Sequence, residues 1–461
     1  MTSQSPAATV DSVIHARWIV PVDGHDRVRD NHCIALNGGT IAEICPSLEG
    51  HARFPHAAHT ELPDHALMPG LVNTHGHAAM SLFRGIADDL PLMTWLQDHI
   101  WPLEGRWVSE EFVYHGARLA IAEMLRGGTT CFADMYFFPE ATARAAVEAG
   151  IRVQLAAPVI DFPTPWAANA DEGIHKTVQL HDQWRGSELV SIAFGPHAPY
   201  TVSDEPLKKI GMYADELDMP IHMHVHETLN EVTEAVAQTG LRPIRRLHDL
   251  GLLTPRLLCV HATQLDTDDL ALLAGSGAHV VHCPESNLKL ASGFCPVQKL
   301  VDEGINVALG TDGAASNNDL DMFSEMRTAA LLAKACAQDA RALPAHQALA
   351  MATIHGARAM ALDHLVGSLE TGKRADIIAV DLARFNTQPV FQPDSQLVYS
   401  TQAGQVSHVW VNGQLLLREG TLTTLNDRQI LDQTQEWQQR LAASMAEATP
   451  GDSDTASGAE S

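Results

Sequence analysis

From residue 109 onward the chain alternates between two hydrophobic patterns. Apolar residues first recur at helical spacing, as at Val113, Ala117, Ala120 and Met124, and then give way to short unbroken apolar runs, as over 129–134. The first pattern predicts an amphipathic helix and the second a strand buried on both faces. Ser109 is placed to cap the helix, Glu110 and Glu111 fall in its first turn, and Gly127 and Gly128 end it. The unit then recurs. A helix near 141–149 stops at Gly150, and strands are predicted over 151–159, 189–194, 220–224, 257–261, 279–282 and 305–309. With the apolar run that begins at Met68 as the first, there are eight strands in βα alternation. Parallel strands joined by right-handed crossovers and closing at eight predict an α/β fold, the (β/α)8 TIM barrel. A doubly wound open sheet is the weaker expectation, because no glycine fingerprint follows the first strand.

Both flanks of this region read differently, as short strands punctuated by turns. Strands are predicted over 13–20, 33–36 and 41–44, the last two joined by Asn37, Gly38, Gly39 and Thr40. After residue 370 they return over 375–380 and 406–411, and Asn412-Gly413 makes a tight turn into 414–417. The economical arrangement is a small β-sandwich domain built from both chain ends, residues 1–68 with 371–430, around a barrel at 69–370. Residues 431–461 complete a final helix (about 427–446) and add a small acidic tail that lacks the apolar surface to order itself. Residues 80–107 are too irregular for a core element and too aromatic for a linker, and are expected to cover a pocket.

Composition narrows the function. The chain has 461 residues and a formal net charge of −26, with no basic run to offset it, which argues against nucleic acid and for a neutral, cationic or small substrate. Seven cysteines without a Cys-x-x-Cys pair suit a reducing compartment better than a disulfide framework. No leader pattern and no run of membrane-spanning length is present, so a cytoplasmic protein with no membrane partner is expected, homo-oligomerisation being left open.

The chemistry collects at the ends of the predicted barrel strands. The first ends in His75 and His77, which share a face at i and i+2 with Gly76 between them, and the fourth in His197. The fifth carries His222, His224 and His226 followed by Glu227. The sixth ends in His261, the seventh in His282, and the eighth runs into Asp312. Any one buried histidine is more simply a hydrogen-bonded core residue. Strand ends of a barrel converge, however, and so many alike point to a metal centre. A workable set is His75, His77, one histidine of the fifth strand and Asp312, with a position open for water whose pKa the ion would lower. Glu227 is the candidate proton carrier. No lysine ends the fourth strand to bridge a second ion, so one metal is expected.

Taken together, residues 69–77, 195–200, His224-x-x-Glu227, His261-Ala262 and residues 311–318 resemble the amidohydrolase superfamily, and within it the methylthioadenosine/S-adenosylhomocysteine deaminases and related chlorohydrolases. The resemblance spans roughly residues 10–430. It implies one Zn2+ or Fe2+ per subunit and hydrolytic loss of ammonia from an aminopurine nucleoside. By that resemblance His75, His77, His224 and Asp312 hold the metal, and Glu227, His261 and Asp312 are catalytic. Glu104 and His197 then contact the substrate, with Glu104 holding the ribose hydroxyls. The family's arginine contacts find no counterpart in register, although Arg144 and Arg152 lie nearby. A deaminase or chlorohydrolase of another heterocycle (guanine, cytosine, a triazine) is the alternative, and a metal-free scaffold the remote one.

Overall fold

The structure is a computed structural model, and it describes residues 10–25 and 28–448. The acidic tail at 449–461 lies outside the described residues. Four strands open the chain: β1 Ser12–Ile19, β2 Arg29–Asn37, β3 Thr40–Pro46 and β4 Ala58–Pro69. Eight follow: β5 Leu71–Asn73, β6 Thr129–Asp134, β7 Arg152–Val159, β8 Val190–Pro196, β9 Ile221–Val225, β10 Leu257–His261, β11 His279–His282 and β12 Val307–Leu309. The last four are β13 Ile377–Asp381, β14 Val406–Val411, β15 Gln414–Arg418 and β16 Thr421–Leu422.

Strands β5 to β12 pair in sequential order, all parallel, with helices between them. The ends of the series meet: the Thr74 N–H donates to Leu309 O at 3.0 Å and the Asp312 N–H to His75 O at 3.0 Å. The (β/α)8 barrel expected from the alternation is therefore present. The remaining strands form one sheet drawn from both chain ends, in the order β16-β15-β14-β13-β4-β1-β2-β3. It curls over a core of its own, because Trp410 of β14 clusters with Ile34 of β2 and Ile14 of β1, strands that are not its neighbours in the sheet. Among the described residues no helix is long and apolar enough to cross a membrane.

The stretch predicted as one strand from Met68 to the histidines serves both sheets. β4 ends at Pro69, paired with Ile377 of β13, while β5 begins at Leu71 and pairs with β6. The switch needs Gly70, where an added Cβ would stand 2.0 Å from Thr130 Oγ1. His75 and His77 lie beyond β5, so their convergence comes from the loop rather than from a shared strand face.

Residues 80–107 are more regular than their pattern suggests. A 3-10 turn, Ala78–Phe83, is followed by helical turns at Leu92–Thr94, Trp95–Ile100 and Trp101–Trp107, the middle one a wide π turn. A π turn shifts the helical phase, so the apolar positions do not keep the usual period. The segment lies over the barrel mouth, with Leu92, Trp95 and Ile100 buried. The final helix, Asp427–Ala448, docks on the helix Glu110–Arg126, where Trp437 meets Phe112 edge-on at 5.2 Å and its Nε1–H donates to His115 Nδ1 at 2.9 Å.

Candidate metal centre

The barrel mouth brings His75, His77, His224 and Asp312 together. One ring nitrogen from each histidine lies within 4.8 Å of the others, and Asp312 Oδ1 is 3.3 Å from Nε2 of both His75 and His77. The same hydrogen-bond logic aims all three rings. His75 uses Nδ1 on His222 Nε2 (2.8 Å), His77 donates from Nδ1 to Met135 O (2.6 Å), and His224 donates from Nδ1 to His197 O (2.7 Å). In each the second nitrogen, Nε2, is left facing the cluster, the arrangement by which metal-ligating histidines are oriented. His75 Nε2 is buried facing Asp312 Oδ1 at 3.3 Å without a well-formed hydrogen bond, a costly state for a polar atom unless something binds it.

Electrostatics point the same way. Burial drives the His75 pKa down to about 4. In His77 burial works against the charge too, but the Asp312 carboxylate outweighs it and raises the pKa to about 9. Burial would raise Asp312, yet bonds to the two imidazoles hold its carboxyl well below the usual range. The three groups thus compete for one proton, which a cation can replace. Three imidazoles and a carboxylate are also the donor set that suits a borderline-soft divalent ion. The residues fit such an ion.

The fifth barrel strand and the residue that follows it supply three histidines with three different fates. His224 faces the cluster. His222 lies behind His75 as its hydrogen-bond partner, and His226 turns away to accept from the Ile244 N–H at 3.2 Å. His282, another predicted strand-end histidine, has no hydrogen-bond partner for either ring nitrogen, and burial takes its pKa down to about 3. It stands outside the cluster.

Around the cluster, Glu227, His261, His197 and Glu104 line one cavity of about 310 Å3, a size suited to a small molecule. Glu227 is buried with Oε2 3.8 Å from His261 Nε2, and burial raises its pKa. His261 uses Nδ1 on Asn287 Oδ1 at 2.9 Å, which turns its Nε2 to the cavity. Glu104 accepts from Tyr136 Oη–H at 2.8 Å, and burial pushes its pKa up to about 7 against that bond. The opposite part of the lining is apolar and aromatic, with Trp95, Trp101, Phe137 and Phe162. Among the described residues lining the cavity there is no lysine or arginine. Arg144 pairs with Glu110 at 2.9 Å, and Arg152 is buried in a two-pronged pair with Asp376 (3.1 Å for each bond).

Several residues that set this geometry were not singled out from the sequence. Ser286 donates to Asp312 Oδ2 at 2.6 Å, and Asp134 accepts from the Ala78 N–H at 2.7 Å and from Thr142 Oγ1–H at 2.9 Å. His261 and Asp312 both hold left-handed backbone (φ 76° and 62°), a strained conformation that clusters at functional sites. Gly310 matters more than Gly76. A Cβ at Gly310 would stand 2.7 Å from His75 N, whereas one at Gly76 would meet ordinary contacts at 3.5 Å. A usable signal existed for some of these: Ser286 and Asn287 follow the seventh strand end within five residues, as Asp312 follows the eighth.

Residues 66–416 match the amidohydrolase family. A 5-methylthioadenosine/S-adenosylhomocysteine deaminase of Saccharophagus degradans is 54% identical over 446 residues, covering 97% of this chain and 99% of that one. A 5'-deoxyadenosine deaminase of Methanothermobacter thermautotrophicus is 44% identical, covering 79% of this chain and 85% of its own length. Among solved structures, an adenosine deaminase from Xanthomonas campestris with bound zinc superposes with a TM-score of 0.93 at 49% identity, covering 94% of this chain and 99% of that one.

Proposed function

The chain belongs to the amidohydrolase family, and from that membership and the geometry of the barrel mouth we propose a hydrolytic deaminase of adenosine-type nucleosides, above all those with a neutral 5' substituent such as methylthioadenosine. As an aminohydrolase it exchanges the ring amine for oxygen and releases ammonia and the inosine analogue. The observation that carries the nucleoside is the pair Glu104 and Glu227 on one cavity. One carboxylate is placed to accept from two adjacent ribose hydroxyls and the other to move protons at the base.

His75, His77, His224 and Asp312 would hold one divalent ion, zinc or ferrous iron. Bound there, the ion would supply Lewis acidity that makes the attacking water easier to deprotonate. Asp312 and His261 orient the attacking water, Asp312 being itself held by Ser286. Glu227 takes a proton from that water and delivers it to the ring nitrogen beside the carbon under attack, which lets the ring give up aromaticity. It then moves the second proton, from the newly added hydroxyl, to the departing amine. Burial raises the Glu227 pKa, which makes its carboxyl a better base than an exposed one. His197 contacts the substrate, and the segment 92–107 shields it from solvent. The seven free cysteines suit a cytoplasmic setting.

A lining without lysine or arginine sets the preference at the 5' end. A homocysteine tail carries an ammonium and a carboxylate, and the carboxylate would find no lysine or arginine in this cavity to pair with. The test is ammonia release from methylthioadenosine, 5'-deoxyadenosine, adenosine, S-adenosylhomocysteine, guanine, cytosine and a chlorotriazine. The neutral nucleosides should turn over best. S-adenosylhomocysteine should lag by about tenfold or more, since an unpaired buried polar group costs ~1–3 kcal/mol. Turnover of a free base or the triazine, with the nucleosides inert, would overturn the reading.

A further inference from the structure

Away from the barrel mouth, a second group of imidazoles gathers on the sheet built from the chain ends. His15 lies on β1, His59 and Glu61 on β4, and His51 on the short helix Ser47–Arg53. The parallel register of β1 and β4 sets His15 opposite Glu61. One nitrogen from each histidine and one oxygen of Glu61 all lie within 4.8 Å of one another. His15 Nε2 is 2.8 Å from His59 Nδ1 and 3.9 Å from Glu61 Oε1, and His51 Nε2 is 3.4 Å from that same oxygen. A tetrahedral ion bound at ~2.0–2.1 Å spaces its ligands ~3.3 Å apart. The separations here straddle that value, and Asp312 stands 3.3 Å from each of His75 and His77 in the barrel.

None of these residues lines the barrel-mouth cavity. His15 is buried, and its Nδ1 has no hydrogen-bond partner. The three rings stack, His15 on His51 at 3.9 Å and 5°, and His59 at 5.1 Å and 5.0 Å from them. Parallel rings do not aim at a common point, so loading requires one to turn. His51 and Glu61, with side chains 48% and 58% exposed, have the room to do so. The helix that carries His51 is seven residues long and has no side-chain cap, and a shared ion would strengthen its ties to β1 and β4.

We infer that His15, His51, His59 and Glu61 form a second site for a divalent transition ion, zinc, nickel or copper, which staples the helix Ser47–Arg53 to β1 and β4. Imidazoles with one carboxylate suit these ions and not calcium or magnesium. The site is independent of the deaminase assignment. Its test is titration of zinc, and separately nickel, into untagged full-length protein at neutral pH, counting bound metal per chain and following thermal unfolding. The wild-type chain should take two equivalents, the second raising the unfolding temperature. His51→Ala and His59→Gln should each take one, with methylthioadenosine turnover unchanged. His75→Ala should also take one, lose turnover, and keep the stabilisation by added metal. A wild-type chain that saturates at one equivalent, or a His51→Ala protein that still takes two, overturns the proposal.

Discussion

The carboxylate of Glu231 holds the main chain of Glu227: it accepts from the His226 N–H at 2.9 Å and from the Glu227 N–H at 2.7 Å. Thr228 caps the helix Leu229–Thr239 by accepting from the Glu231 N–H, so the cap and the clamp are one turn of chain. Glu231 is buried, and burial pushes its pKa up to about 7 against those bonds. It is a positioning residue for Glu227. Glu231→Gln should keep the metal and change KM little, but lower kcat by about 10–100-fold, because its amide nitrogen would face a backbone donor and displace Glu227. Metal analysis alongside steady-state kinetics checks this, and loss of metal together with rate would point to a general structural role instead.

Glu227→Gln tests the proton carrier directly. The variant should retain metal and bind substrate, while kcat falls by ~10²–10⁴-fold, the usual contribution of a general acid–base. Near-normal kcat at full metal occupancy would leave Glu227 without a role.

Glu104 should act on binding. Glu104→Ala is expected to raise KM for nucleosides without loss of metal, each lost hydrogen bond to a charged acceptor costing about 1.5–3 kcal/mol. The pH dependence has a definite sign. The ionised carboxylate accepts from the ribose hydroxyls, its pKa is raised to about 7, and the interaction is lost as pH falls through that value. KM should therefore rise on acidification. Tyr136→Phe removes a bond that favours the ionised form, and should move the KM profile upward by about one pH unit or more. A profile that stays put would remove Glu104 from the ribose.

Chelation should abolish turnover, and Zn2+ or Fe2+ should restore it. His75→Ala should fail to hold the barrel ion, since its buried Nε2 faces the cluster beside Asp312 Oδ1 at 3.3 Å. Asp312→Asn should lose rate even where metal is retained, because the neutral amide lacks the carboxylate charge that orients the water. Full activity in protein shown by elemental analysis to be metal-free would sink the mechanism.

Much of this was legible along the chain because it is local or periodic. The βα alternation from Ser109, the Ser109 cap that accepts from the Phe112 N–H, and the turn at Asn412-Gly413 with positive φ at both residues all follow from short-range preferences. So did the barrel, since eight parallel strands in series have few other ways to bury both faces. The residues at the strand ends were legible too, because a barrel gathers its strand ends whatever lies between them.

What the tertiary structure alone decided depends on contacts between distant segments. Apart from the spacing of His224 to Glu227, nothing local assigns the parts played by His222, His224 and His226. Their roles are set by His75, His197 and Ile244, which come from elsewhere in the chain. The split of the first predicted strand at Gly70 appears only when Thr130 and Asp376 are packed against it. Ser286 reaches Asp312, and Tyr136 reaches Glu104, across loops with no shared period. The grouping of His15, His51, His59 and Glu61 likewise depends on the parallel pairing of β1 with β4, which no pattern within either strand encodes. Sequence determined which groups the strand ends would present. Only the closure of the barrel and the curl of the second sheet decided which of those groups would meet, because hydrogen-bond partners and burial belong to pairs of segments and not to either one alone.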